Sequence, residues 1–125
     1  MRVYLSGGTH TNWQDHFILS LPQIDFIDPR KVKELSDEHE YTFVDTVGIK
    51  SSDIVVCYLE ESNPSGMGAA FEVGYAYAKG IPVILIDEKK DRYSGMIRAA
   101  ASYIYKDISD VILILKLLAN RGFVK

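Results

Sequence analysis

The sequence lacks several features that mark specialised classes of protein. It has one cysteine, Cys57, so no internal disulfide can form. With only three histidines beside that cysteine, no ligand spacing typical of a zinc site can be assembled, and metal chemistry becomes a minor option. Apolar runs such as Val111 to Leu115 are far shorter than the ~20 residues that span a bilayer. The chain also opens on strand-like residues in place of a secretory leader, so we expect a cytoplasmic protein with no membrane partner.

An excess of positive charge is missing as well. Lysine and arginine number 14 against 17 aspartates and glutamates, which gives a net charge of −3. Affinity for duplex nucleic acid comes mostly from neutralising phosphates, so this balance argues against a duplex as partner. The charge balance does not exclude small polar or anionic ligands.

Length and composition are those of one ordinary globular domain. The chain has 125 residues, of which 47% are apolar and 25% charged, so we expect one domain over residues 1–125. Short apolar runs rich in β-formers alternate with helical patterns, which is typical of βα units around a parallel sheet. Five strands are predicted: Arg2 to Ser6, Asp25 to Asp28, Asp53 to Leu59, Pro82 to Ile86 and Tyr103 to Tyr105. Five helices are predicted: Asn12 to Ser20, Thr42 to Ser51, Met67 to Lys79, Met96 to Ala101 and Ser109 to Ala119.

The third and fourth strands are continuously apolar, as expected for central strands covered by helices on both faces. The fold class is therefore α/β, a flavodoxin-like or Rossmann-like three-layer sandwich with a five-stranded parallel sheet. Ligands in such sheets bind beyond the carboxyl ends of the strands, here near Ser6 to Thr9, Glu60 to Gly66 and Asp87 to Gly95. The mixed-charge cluster from Lys31 to Glu40 is interpreted as solvated surface.

The most informative segment is a turn followed by a helix. Asn63 to Gly66 has turn composition, and the helix after it carries an apolar stripe at helical spacing, formed by Ala69, Ala70, Val73, Ala76 and Tyr77. Glu72 lies at the edge of that stripe, where partial burial and the helix N-terminus would leave a carboxylate charged and weakly hydrated. Such a group can be a nucleophile. It can also simply complement the helix dipole from a solvated edge.

Together, several motifs resemble those of the nucleoside 2-deoxyribosyltransferase family, which includes 2′-deoxynucleoside 5′-monophosphate N-hydrolases. The most specific is Glu-Val-Gly-Tyr-Ala from Glu72, which is preceded by an Asp-x-x-x-Ile-x-x-Ser-Asp pattern that starts at Asp45. The turn from Asn63 and the segment Gly80 to Ile84 add to the likeness. The resemblance extends from Val3 to the last helix.

The resemblance implies roles for three residues. The glutamate at the position of Glu72 attacks the anomeric carbon, expels the base and forms a covalent glycosyl-enzyme, as in retaining glycosidases. Tyr4 would orient that glutamate, and Asp45 would assist proton transfer at the departing base. Alternatively, Tyr4 packs as an ordinary strand aromatic and Asp45 lies on a wet helix face. Asp53 is read as a turn cap and is left out of the catalytic set.

The resemblance also implies a set of substrate-binding residues. These are Gly7, Gly8, Asn63, Ser65, Gly66, Gly68, Ser94 and Met96. Of these, Ser94 and Met96 match a segment that reaches into the neighbouring subunit's site, so a homodimer or larger homo-oligomer is expected. Gly66 stands where transferases of the family have an aspartate, and Ser65 lies one position before the serine that holds the 5′-phosphate in the N-hydrolases. The sequence therefore leaves both a nucleoside and a nucleoside 5′-monophosphate as candidate substrates.

The sequence thus predicts an enzyme that cleaves the N-glycosidic bond of a nucleoside or nucleoside 5′-monophosphate, preferably a 2′-deoxy one, with no cofactor. The alternative is a non-catalytic nucleotide-binding module on the same fold. Trp13 has two interpretations: it stacks on the base, or it packs the first helix onto the sheet.

Overall fold

The computed structural model describes residues 1–121. A five-stranded, all-parallel sheet has the strand order β2-β1-β3-β4-β5. The strands are β1 (Arg2–Gly7), β2 (Asp25–Ile27), β3 (Ile54–Leu59), β4 (Val83–Asp87) and β5 (Tyr103–Tyr105). The helices are α1 (Trp13–Ser20), α2 (Arg30–Leu35), α3 (Glu38–Lys50), α4 (Met67–Ala78), α5 (Gly95–Ala100) and α6 (Ile108–Asn120).

This order confirms the predicted fold class. The chain passes from β1 to β2 on one side and then to β3 on the other, which makes β1 and β3 the switch point of the sheet. A crevice forms where the connections leave in opposite directions, outside the carboxyl ends of these two strands. The topology alone therefore places a binding site after Gly7 and after Leu59.

Two hydrophobic cores cover the two faces of the sheet. One packs α1 and α6 against Val3 and Leu5 of β1. The other packs α3, α4 and α5 against the opposite face, where Tyr4 lies. Because strand side chains alternate between faces, Tyr4 and Ser6 point to the α4 side. All six residues of β3 are buried, as the continuous apolar run predicts.

The largest departure from the sequence prediction lies between β2 and β3. Helix α2 is not predicted, and the helix expected from Thr42 begins instead at Glu38. A capping box explains the earlier start: Asp37 accepts a hydrogen bond from the Glu40 backbone, and the Glu40 side chain accepts one from Asp37. The charged residues of the cluster from Lys31 to Glu40 therefore lie on α2 and at the start of α3.

The buried face of α4 is narrower than predicted. Ala69, Val73 and Ala76 are buried, whereas Ala70 is exposed and Tyr77 is 66% exposed. At about 100° per residue, the exposed pair lies roughly 80–100° from the buried stripe, on the side away from Glu72. Within residues 1–121, no helix combines the length and apolarity needed to cross a membrane.

Candidate active site

A pocket of about 560 Å³ opens at the switch point of the sheet. Its walls come from the loop after β1, from α2 and α3, and from the turn and first two turns of α4. It is lined by Gly7, Gly8, Thr9, His10, Pro29, Lys33, Tyr41, Thr42, Asp45, Asn63, Pro64, Ser65, Gly66, Met67, Gly68, Ala69, Phe71 and Glu72. A volume of this size accommodates a small organic ligand.

Glu72 is fixed in this pocket through both of its carboxylate oxygens. Ser6 Oγ donates a hydrogen bond of 2.7 Å to Oε1, and the Tyr4 hydroxyl donates one to Oε2. Tyr4 and Ser6 are both buried. They lie two residues apart on β1, so their side chains point to the same face of the sheet and reach the same carboxylate. Two hydroxyls on a rigid central strand therefore set the orientation of one carboxylate on α4.

Burial raises the pKa of Glu72 to about 7, although the hydrogen bonds from Tyr4 and Ser6 oppose the shift. The nearby charge of Asp45 raises it further, and the charge of Lys33 lowers it. A carboxylate with this pKa is poorly solvated yet partly ionised near neutral pH. Part of the population is therefore ionised and able to attack, and the weak solvation of that carboxylate makes it more reactive, as a nucleophile requires.

Asp45 is a second perturbed carboxyl at the same pocket. Burial raises its pKa to about 6, while a hydrogen-bonding interaction with Tyr4 and the charge of Lys33 lower it. Tyr4 thus interacts with both carboxyls. Its own pKa is raised, first by burial and then by the charge of Glu72, so the phenol stays protonated and acts as a donor. The pocket holds two acids whose environments keep a proton available near neutral pH.

The loop after β1 depends on one glycine. Gly7 has φ +151°, and a Cβ there would lie 2.7 Å from the Tyr58 carbonyl oxygen and 2.9 Å from Trp13 Cζ2. Trp13 is buried, meets Phe17 and Tyr58 edge-on, and donates a hydrogen bond of 2.9 Å to the Gly8 carbonyl. Of its two predicted roles, packing is therefore the one the structure shows.

The turn before α4 forms the opposite wall. Asn63 Oδ1 accepts a hydrogen bond of 3.2 Å from the Ser65 backbone, and Ser65 Oγ accepts one of 3.2 Å from the Met67 backbone. Gly66, with φ +83°, then turns the chain into the helix. Lys89 braces the turn by donating a hydrogen bond of 2.7 Å to the Asn63 carbonyl. The N-terminus of α4 thereby faces the pocket, which favours negative charge in a ligand.

Sequence comparison identifies the family of the chain. Residues 4–112 match the family of nucleoside 2-deoxyribosyltransferases. The chain belongs to that family. A search of curated protein sequences found no match.

Solved structures agree with this membership. One is a 2-deoxyribosyltransferase from the psychrotolerant bacterium Bacillus psychrosaccharolyticus, with a TM-score of 0.71, 25% identity and 90% of each chain covered. Another, the CMP N-glycosidase of Clostridium botulinum, has a TM-score of 0.63 at 19% identity, with 94% of this chain and 98% of that chain covered. At 19% identity, the similarity to the N-glycosidase shows a shared fold and nothing about activity.

In this deoxyribosyltransferase-family chain, the pocket brings together most of the residues predicted from sequence. Glu72 and Asp45 line it, and so do the predicted substrate-binding residues Gly7, Gly8, Asn63, Ser65, Gly66 and Gly68. Tyr4 lies behind Glu72. Ser94 and Met96 do not line it: Ser94 is buried at the start of α5, and Met96 is 88% exposed.

The sequence prediction overlooked Ser6 and Lys33. Ser6 lies two residues after Tyr4, so strand alternation alone puts it on the same face. Lys33 stands within the charge cluster interpreted as solvated surface, and only the unpredicted α2 brings it to the pocket. For metal binding, residues 1–121 hold no group of three His, Cys, Asp or Glu side chains arranged around a common point.

Proposed function

We propose that this protein cleaves the N-glycosidic bond of 2′-deoxynucleosides or their 5′-monophosphates through a covalent glycosyl-Glu72 intermediate. One observation carries the proposal: Glu72 lines the pocket with one hydroxyl on each carboxylate oxygen. Hydrogen bonds to each oxygen preorganise the carboxylate for attack, and partial burial keeps water from competing with the sugar.

In the proposed first step, a Glu72 oxygen forms a bond to C1′ of the sugar. The bond from C1′ to the base nitrogen breaks, and its electron pair stays with the base. Asp45 supplies a proton to the base, so that it leaves neutral. The pKa of Asp45, raised by burial to about 6, supports this role because a less shifted aspartate would hold almost no proton near neutral pH.

In the second step, an acceptor attacks C1′ and releases Glu72, with Asp45 now acting as the base. If the acceptor is a second nucleobase, the enzyme is a transferase; if it is water, the enzyme is a hydrolase. Two displacements at C1′ give overall retention of configuration. The 2-deoxyribosyltransferase at 25% identity supports base exchange.

The wall formed by the 63–66 turn is the proposed site of the 5′ end of the substrate. Asn63 is 8% exposed, lines the pocket, and its Nδ2 makes no hydrogen bond within residues 1–121. Ser65 and the N-terminus of α4 add donors beside it. These groups suit either a 5′-hydroxyl or a 5′-phosphate, and the first loop carries His10 where an arginine would favour the phosphate.

We further propose that the active species is a homodimer. Apolar side chains are exposed along α3, α4 and α5, among them Phe43 at 69%, Phe71 at 56% and Met96 at 88%. Phe71 also lines the pocket, so this apolar surface continues to its mouth. A second copy on this surface would bury the side chains and bring Ser94 and Met96 towards the partner's pocket.

The decisive experiment is chromatographic. The protein is incubated with a panel of deoxynucleosides, ribonucleosides and their monophosphates, and free base is followed with and without a second base. We expect release or exchange that Glu72→Ala abolishes and that Glu61→Gln, a change at an exposed glutamate outside the pocket, leaves intact. Thermal stabilisation by ligands with no turnover anywhere in the panel would overturn catalysis and support a nucleotide-binding module.

A further inference from the structure

A lysine stands at the pocket without a protein partner. Lys33 lies on α2 and lines the pocket that holds Asp45 and Glu72. Its side chain is exposed, and its ammonium makes no hydrogen bond or ion pair within residues 1–121. The family resemblance assigns it no role. We therefore ask what the positive charge of Lys33 does at a pocket that also holds two carboxyl groups.

The position of Lys33 is set by a neighbouring arginine. Arg30, at the start of α2, pairs with Asp28 at 2.6 Å and with Asp15 at 2.7 Å, which ties the helix to the end of β2 and to α1. Arg30 is thus already paired with two carboxylates. Lys33, about one turn later, is the basic residue of α2 that lines the pocket. Helix α2 packs against α3, the helix of Asp45, whereas Glu72 approaches from α4. Lys33 therefore belongs to the Asp45 side of the pocket.

The electrostatics of the two carboxyls agree with this placement. Burial is the main influence on the pKa of Asp45 and Glu72 and raises both, whereas the positive charge of Lys33 lowers both. Lys33 thus stabilises negative charge at the pocket.

The proposed reaction moves negative charge across this pocket. The charge of Glu72 is consumed when its oxygen bonds to C1′, and the electron pair of the broken C1′–N bond goes to the base. If Asp45 transfers its proton, the charge ends on Asp45; if transfer lags, it rests on the base. In both cases negative charge develops on the pair formed by Asp45 and the base in the transition state, and it reaches one full charge when the C1′–N bond is broken.

We propose that Lys33 is a catalytic residue of this cleavage, which contacts an acceptor atom of the departing base and stabilises the charge that develops on the base and Asp45. The inference rests on the proposed function and adds to it a substrate class: bases that present a ring nitrogen or carbonyl oxygen towards α2. Such stabilisation raises the rate only because the charge is larger in the transition state than in the ground state.

The test compares Lys33→Met with Lys31→Met. Lys31 is exposed on the same helix and does not line the pocket, so its removal changes the net charge equally. We expect Lys33→Met to lower kcat at least about tenfold, because it removes one preorganised charge. The loss should be largest for substrates whose base is a poor leaving group, so that log kcat depends more steeply on the pKa of the base. Lys33→Arg should recover much of the rate.

The outcomes separate the two proposals. If the wild type releases no base from any substrate of the panel, the proposed function fails and this inference falls with it. If the wild type is active but Lys33→Met matches it in rate and in leaving-group dependence, only the role of Lys33 is overturned. Equal losses in Lys33→Met and Lys31→Met would also overturn it. Thermal unfolding checks that each variant folds, and Lys33→Gln replaces Lys33→Met should that variant unfold.

Discussion

Ser6 and Glu72 are 66 residues apart in the sequence, yet Ser6 Oγ donates a hydrogen bond of 2.7 Å to Glu72 Oε1. This contact joins the central strand β1 to helix α4. Together with the bond from Tyr4 to the other oxygen, it leaves Glu72 few orientations. The site is therefore built on two rigid elements, which suits a reaction that needs a fixed nucleophile.

Removing either hydroxyl should slow the reaction. A hydrogen bond to a charged group contributes about 1.5–3 kcal/mol, so we expect Tyr4→Phe and Ser6→Ala each to lower kcat/KM roughly 10- to 100-fold. Both bonds hold the pKa of Glu72 down against burial, so each loss should raise that pKa and move the optimum of the pH profile to higher pH. Steady-state kinetics across pH measure both effects. An unchanged pH optimum in both variants would contradict this account of Glu72.

The wild-type enzyme should have a bell-shaped dependence of kcat/KM on pH. In the proposed mechanism, Glu72, whose pKa burial raises to about 7, must be ionised, and Asp45, whose pKa burial raises to about 6, must be protonated. Activity should therefore peak between these values and fall roughly tenfold per pH unit well outside them. Asp45→Asn should remove the alkaline limb. A rate that keeps rising with pH would argue against an acid role for Asp45.

Glu72 should reduce stability as pH rises. Its folded pKa of about 7 lies above the ordinary 4.5, so between these values the folded chain holds a proton that the unfolded chain has released. The free energy of unfolding therefore falls with pH across that window. Glu72→Gln should lose this slope and become more stable than the wild type by about 1–3 kcal/mol above neutral pH.

Urea unfolding of the wild type and of Glu72→Gln at about pH 5 and about pH 8 measures the slope. Glu61→Gln is the control, because Glu61 is exposed and lies outside the pocket. Parallel stability profiles for the wild type and Glu72→Gln would show that the folded state does not raise the pKa of Glu72.

A charge on α5 should separate the proposed dimer. Met96 is 88% exposed on the apolar surface formed by α3, α4 and α5, so Met96→Glu should shift sedimentation towards the monomer and lower activity. Leu113→Glu is the matched control: Leu113 is 56% exposed on α6, which packs on the opposite face of the sheet. A wild type that sediments as a fully active monomer would contradict the dimer.

The sheet was predictable because its strands carry strong local signals. The apolar run of β3 and the turn residues before α4 fixed these elements to within a residue or two. Helix α2 was not predictable from the same rules, because six residues are too few to establish a helical apolar repeat and none of them is buried. Arg30 holds this helix by pairing with Asp28, two residues earlier, and with Asp15 on α1, and the second pairing is a tertiary contact.

By itself, the sequence determined the α/β class, the helix that carries Glu72, and the glycine and turn residues near the strand ends, since these depend on local pattern. Only the tertiary structure decided that Ser6 meets Glu72, that Tyr4 reaches both carboxyls, and that Lys33 faces the pocket. The reason is physical: hydrogen bonds and desolvation depend on distances between segments far apart in the chain, and no local periodicity encodes those distances.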